Sequence, residues 1–418
     1  MSSGSSSVIE RARARIVYDS RGSPTIEVEV RTASGAVGTA AAPAGKSRGR
    51  HEAVPYPDGD PYRSAQIFNQ EIALKLVGRD ALDQRGVDAF LREVDGTPNF
   101  SRIGGNLALA TSVAIAWAAA RSASLPLFAH LSKIFNMRTA LPLPLGNVIG
   151  GGAHTLGQAP DIQEFLVFAF PEASLRKAVE ANFLVHRRVS SALTELFPKA
   201  AIGRNDEGAW AAPLPSEQAL SLLTDIIESV ANETGVPLAV GLDVAASSLW
   251  DSSRQQYVYK REGVRRDPGE QIDFIIDLVS TYPIKYVEDP LHEDDFAGFR
   301  EITDKLRKFD CLVCGDDLFV TNPERLEHGI KEGAASAILV KPNQVGTLSD
   351  TFRVAQLAHT HGYVRIASHR SGETEYAYLS HVAVAIGARL IKTGIMGSER
   401  VAKLNELIRI AEHLGIER

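Results

Sequence analysis

The sequence predicts an α/β protein built on a (β/α)8 TIM-like barrel, with a smaller α+β domain ahead of it. Three observations lead there. The length of 418 residues exceeds the roughly 250–300 at which a single core stops growing, so two domains are expected. The first third alternates polar and apolar residues and then turns helical. The remainder repeats short apolar runs that each close on a charged or ionisable side chain: LAVGLD at Asp243, IKYVED at Glu288, CLVCGD at Asp316, AILVK at Lys341, VRIASHR at His369 and Arg370, and RLIK at Lys392. After the first interval, consecutive endings are spaced as one βα unit per step.

Taken in order, MSSGSSS is a Ser/Gly-rich stretch without the basic and apolar regions of a secretory signal, and residues 1–7 read as a flexible tail. Residues 8–140 form the N-terminal domain. Its first part, IEVEV and AVGTAAA around the turn ASG, has the period of antiparallel strands. From Arg63 to Lys133 apolar residues recur at helical spacing. The apolar segment Asn106–Ala120 is shorter than the ~20 residues that span a bilayer, so it is expected to be a buried helix. LPLPLGNVIGGG, Leu141 to Gly152, is dense in Pro and Gly and reads as the passage into the second domain, residues 141–418. One barrel helix should start near Pro215–Ser216 and stop at Gly235, before Pro237.

Composition excludes several function classes. With 44% hydrophobic and 23% charged residues the chain is neither disordered nor fibrous. A net charge of −6 offers no basic stripe to nucleic acid or an anionic membrane. Cys311 and Cys314 are the only cysteines, too few for a zinc site, and their place in an apolar strand sends them to opposite faces as buried filler. Few cysteines and no signal segment point to a cytoplasmic protein.

In a barrel the strand ends converge on one mouth. One acid there could merely cap the next helix, but six ionisable endings in series point to a site. Asp243, Glu288 and Asp316 would put three carboxylates together, which is costly unless a cation sits among them. All-oxygen donors favour Mg²⁺. Lys341, His369, Arg370 and Lys392 follow as facing cations, suited to an anionic substrate, and the planar fork of Arg370 suits a phosphate. A lysine opposite such a triad has a specific use, the abstraction of a proton α to a carboxylate.

The strings DSRGSPTIEVEV, HEAVPYPDGD, DIQEFLV, DEGAWA, YVEDPLHEDD, GDDLFVTNP, KPNQVGTLSD, SHRSGETE and IKTG with SERVAKLNELIRI, in order over nearly the whole chain, resemble the enolase family, with GNVIGGGAH and DEGAW similar to its archaeal-type branch. The resemblance implies a barrel of the enolase superfamily with an N-terminal capping domain, whose members use a Lys or His base with one or two Mg²⁺. It implies a hydro-lyase that removes water from 2-phosphoglycerate, a small phosphorylated carboxylate. By this likeness Lys341 is the base, and Glu207, helped by Glu164, is the acid. Asp243, Glu288 and Asp316 hold the first of two Mg²⁺, and Ser47 ligates the second. Lys392 lies beside the substrate carboxylate, Arg370 and Ser371 bind phosphate, and His154, Gln163 and His369 line the substrate. DSRGSP, with Arg21, resembles the family's subunit contact, so a homodimer or higher homo-oligomer is expected.

The chain departs from the family pattern in places. Lys46 and Arg48 flank Ser47 where small neutral residues are usual, and Asn205 stands where glycine is usual, so Glu207 could be shifted. Three readings stay open on the sequence: an ordinary enolase, a paralogue acting on a more anionic or phosphonate analogue in a biosynthetic pathway, and a non-catalytic binding protein on the same scaffold. A P-loop at Gly45–Ser47 is excluded, since its first glycine would fall on Ala40.

Overall fold

The computed structural model describes residues 7–46, 49–155 and 157–416. Three antiparallel strands open the chain: β1 (Ile9–Tyr18), β2 (Pro24–Thr32) and β3 (Val37–Ala41), in the order β1-β2-β3. Alternation along β2 buries Ile26, Val28 and Val30. These pack beneath the helix Gly105–Ser122, which is buried almost all round. Gly38 makes that packing possible: a Cβ there would lie 1.9 Å from the Ala114 carbonyl oxygen. The same helix touches the turn Pro342–Gln344 of the barrel, so it joins the two layers. No single helix among the described residues is long and apolar enough to cross a membrane. Ser7, assigned to the tail, is buried, and its hydroxyl donates to Asp80 Oδ1 at 2.5 Å; residues 1–6 of that tail lie outside the described residues.

The second domain holds β4 (Leu143–Gly150), β5 (Glu164–Ala169) and β6 (Leu238–Asp243), a small sheet of β7 (Trp250–Asp251), β8 (Gln256–Tyr259) and β9 (Val264–Arg266), and then β10 (Ile284–Glu288), β11 (Leu312–Gly315), β12 (Ala337–Val340), β13 (Val364–Ser368) and β14 (Leu390–Lys392). Eight of them close a barrel in the order β10-β11-β12-β13-β14-β4-β5-β6. Its interior is filled by side chains such as Leu145, Leu166, Tyr286, Cys314, Leu339 and Ile366. Cys314 belongs to this inner core and Cys311 to the outer layer beneath the helices, on opposite faces as the strand pattern requires. The predicted helix runs Ser216–Thr234 and ends on Gly235 at φ +67.

Two findings depart from the sequence reading. The passage Leu141–Gly152 holds a barrel strand, Leu143–Gly150, buried along almost its whole length. Its prolines fall at positions that the ladder tolerates, Pro144 pairing with Ile391. Secondly, β5 runs antiparallel to both β4 and β6, whereas a regular (β/α)8 barrel is all parallel. A loop rather than a helix joins β4 to β5, and two helices, Leu175–Leu196 and Ser216–Thr234, then precede β6. DSRGSP is engaged within the chain: Arg21 donates to the Ala44 carbonyl at 3.2 Å and reaches Ser371 Oγ at 3.5 Å.

Candidate active site

The reversed strand decides what gathers at the barrel mouth. Parallel strands deliver their last residues there: Asp243 from β6, Glu288 from β10 and Lys392 from β14, with Asp316, Lys341 and His369 just beyond β11, β12 and β13. Because β5 points the other way, it delivers its first residue, Glu164, which pairs in register with Asp243. These groups line or underlie a cavity of about 290 Å³ that also contacts Lys46, His154, Gln163, Glu207, Arg370 and Ser371. Of the residues named from sequence, Ser47 lies outside the described residues, as does Arg48. Glu288 is fully buried beneath the floor.

Charge organises the floor. Lys392 Nζ lies 2.9 Å from Asp243 Oδ2, 2.9 Å from Glu288 Oε2 and 3.0 Å from Glu164 Oε2. Burial alone would lower its pKa, but these acids hold it well above the ordinary lysine value. Burial, with Asp243 adjacent, pushes Glu288 well up. Lys341 Nζ contacts Asp316 Oδ2, and that carboxylate outweighs burial to hold the lysine above its usual value. Carboxylate oxygens of Glu288, Asp289 and Asp316 come within 4.8 Å of one another, and Asp243 joins them through Lys392. This oxygen-only donor set fits a hard divalent cation. Asp289, which sequence reasoning did not single out, accepts the Asp316 and Asp317 amides at 3.0 and 2.8 Å and so fixes the turn after β11.

Across the mouth stands a second cluster, in which His154, Glu164 and Glu207 approach within 4.8 Å. Burial and the neighbouring Glu207 push Glu164 up to about 7. Glu207 goes the other way: burial would raise it, but the His154 and His369 rings and Arg400 hold it well below the usual range. The two acids are therefore pushed apart, Glu164 towards its protonated form and Glu207 towards its ionised form. Arg400 Nη1 donates to His369 Nδ1 at 2.5 Å. Since a guanidinium only donates, the His369 proton sits on Nε2, which faces Glu207 Oε2 at 3.6 Å.

Asn205 holds the turn that carries Glu207. Its Oδ1 accepts the Glu207 and Ala209 amides, each at 3.0 Å, which locks the turn that presents the acid. Two such bonds contribute about 1–3 kcal/mol together. Asn205→Ala is expected to lower stability by that amount in denaturant titration.

At the far wall Arg370 is held from the N-terminal domain. Its Nη1 donates to Glu52 Oε2 at 2.8 Å and to Asn343 Oδ1 at 2.9 Å, and its Nη2 to Glu52 Oε1 at 3.3 Å. Gln344 Nε2 donates to Asp316 Oδ1 at 3.1 Å and its Oε1 accepts from Thr321 at 2.6 Å. Glu52, Asn343, Gln344 and Arg400 were missed as site residues. The only signal available was their presence within HEA, KPNQ and SERV.

Known proteins share the two-domain organisation of this chain. The family profile described as "Enolase, N-terminal domain" matches residues 9–131, and "Enolase, C-terminal TIM barrel domain" matches 138–418. Enolase from Methanosphaera stadtmanae is 49% identical over 408 residues, covering 98% of each chain. That from Methanothermobacter thermautotrophicus is 47% identical over 412 residues, 99% of this chain and 98% of its own. Halobacterium salinarum enolase is 49% identical over 405 residues, 97% and 99% of the two chains. The chain belongs to the enolase family. As an enolase-family lyase it carries both domains in family order, and the relatives named here are archaeal, in line with the archaeal-type likeness of GNVIGGGAH and DEGAW.

Proposed function

We propose that the protein dehydrates 2-phosphoglycerate to phosphoenolpyruvate in a Mg²⁺-dependent reaction. The observation that carries this reading is an opposition: β12, which leads into Lys341, and β5, which begins with Glu164, stand four strands apart in the eight-stranded ring, so a base and an acid pair face each other across one small cavity. Abstracting a proton from one carbon while protonating a hydroxyl on the next needs that arrangement.

Asp243, Glu288 and Asp316 hold the cation, with a second Mg²⁺ expected at Ser47. Bound cations supply positive charge to the substrate carboxylate and offset the acids that hold Lys341 protonated. Lys341 Nζ takes the proton from C2. The C2–H electron pair forms the C2–C3 double bond, and the C3 hydroxyl leaves as water with a proton from the Glu164–Glu207 pair. His154 and Gln163 line the leaving-group side, and His369, neutral because burial and Arg400 push it down to about 4, directs its Nε2 proton at Glu207. Lys392 sits beside the carboxylate. Arg370 and Ser371 take the phosphate.

The paralogue reading draws on the added charges of Lys46 and Arg48; of these, Lys46 Nζ lies 3.3 Å from Asp206 Oδ2, a partner within the protein. With both partners about one-third exposed, the pair contributes roughly 0–1 kcal/mol. Lys46→Ala is therefore expected to leave 2-phosphoglycerate turnover within a few-fold of wild type in steady-state kinetics. A large gain would favour the paralogue. The deciding test is purified protein with Mg²⁺ and 2-phosphoglycerate, following ultraviolet absorbance of the enol product. Turnover abolished by EDTA supports the reading, and absence of turnover despite Mg²⁺ binding overturns it.

A further inference from the structure

We infer that Tyr286 is a positioning residue for the divalent-cation site, acting through Glu288. The inference rests on the reading that Asp243, Glu288 and Asp316 hold the cation. Tyr286 precedes Glu288 by two residues on β10, so the strand's period turns both side chains into the barrel. Both are fully buried, and the phenol donates to Glu288 Oε2 at 2.6 Å. That is the short length of a hydrogen bond to a charged acceptor.

The ring is fixed as firmly as the bond. It packs among Leu145, Leu166 and Cys314 in the barrel interior. On the adjacent strand, Gly241 leaves the space it fills: a Cβ there would lie 3.1 Å from Tyr286 Cδ1. Gly241 is itself two residues before Asp243 on β6, so one small residue seats the ring beside two of the strands that supply acids.

Packing does not account for the hydroxyl. A phenylalanine would fill the same volume, and a buried hydroxyl is costly unless it is bonded. The hydroxyl is directed at Glu288 Oε2, with the Cys314 thiol as a further polar neighbour. Among the described residues the other side-chain donor to Glu288 is Lys392, which reaches Oε1 at 3.0 Å and Oε2 at 2.9 Å and is shared with Asp243 and Glu164. Lys392 is a shared donor on a flexible stem, whereas the Tyr286 ring is fixed by packing, so Tyr286 adds a rigid constraint on the rotation of the Glu288 carboxylate. Groups that orient a metal ligand in this way are worth about 10–100-fold in metal affinity.

The test is calorimetric titration of Mg²⁺ into the full-length wild type and Tyr286→Phe, with melting temperatures in EDTA measured alongside. Expected is Mg²⁺ affinity weakened about 10–100-fold, with turnover restored towards wild type at high Mg²⁺. Unchanged Mg²⁺ affinity, with or without a lower melting temperature, means that the hydroxyl serves stability alone and overturns the inference. If the wild type itself takes up no Mg²⁺, the cation reading fails, and this inference with it.

Discussion

Lys341→Ala should lower 2-phosphoglycerate turnover by about 10²–10⁴-fold, the usual contribution of a positioned general base, while Mg²⁺ binding and the melting temperature change little. The lysine follows β12, its amide is fixed by Thr321 Oγ1 at 2.9 Å, and its ammonium contacts Asp316. Removing the side chain leaves Asp316 Oδ1 still bonded to Gln344, so the turn after β11 keeps a donor. The loss should fall on kcat rather than KM, because the base acts only as the C2 proton moves. Steady-state kinetics at saturating Mg²⁺, together with thermal unfolding, would check this. Near-normal turnover would place the base elsewhere.

Glu288→Gln should be comparably severe by a different route. The change keeps the shape of the side chain and its hydrogen bond to Tyr286, but removes a charge from the centre of the acid cluster. At a Mg²⁺ concentration 100 times the wild-type dissociation constant, binding stabilises the wild type by about 2.7 kcal/mol. The variant should gain less than about 0.5 kcal/mol at the same concentration, since a ligand that no longer binds cannot shift unfolding. Turnover should fall on the order of 10²–10³-fold, as when one electrostatic partner of a developing oxyanion is lost. Paired Mg²⁺-dependent melting curves and rate assays separate this from misfolding. A variant with wild-type stabilisation by Mg²⁺ would remove Glu288 from the ligand set.

Much of this architecture was legible because barrel strands announce themselves. Six runs closed on ionisable residues, and the structure brings Asp243, Glu288, Asp316, Lys341, His369 and Lys392 to one mouth. The two remaining strands were hidden for physical reasons. Pro144 and the glycines of Leu141–Gly152 carry the composition of a linker, yet closure of the barrel buries them in a ladder. Glu164 opens its strand rather than ending it, so no rule about strand endings could find it, and only the likeness of DIQEFLV to the enolase family did. Contacts that cross between domains were the least visible. Glu52 and Arg370 are far apart in sequence, and no period connects them. Arg400 lies buried in a helix whose other letters look ordinary.

The ammonium of Lys392, in contact with acids from three strands, has a thermodynamic consequence. The chain supplies one counterion of its own to three carboxylates, so part of the attraction that a cation would feel there is already satisfied. On the proposed reading, a cation held by Asp243 and Glu288 would share those carboxylates with Lys392. The affinity for that cation would then be a difference between two sets of attractions. An anionic substrate carboxylate beside Lys392 would draw the ammonium away from the acids, so cation and substrate would each favour the other to the same extent.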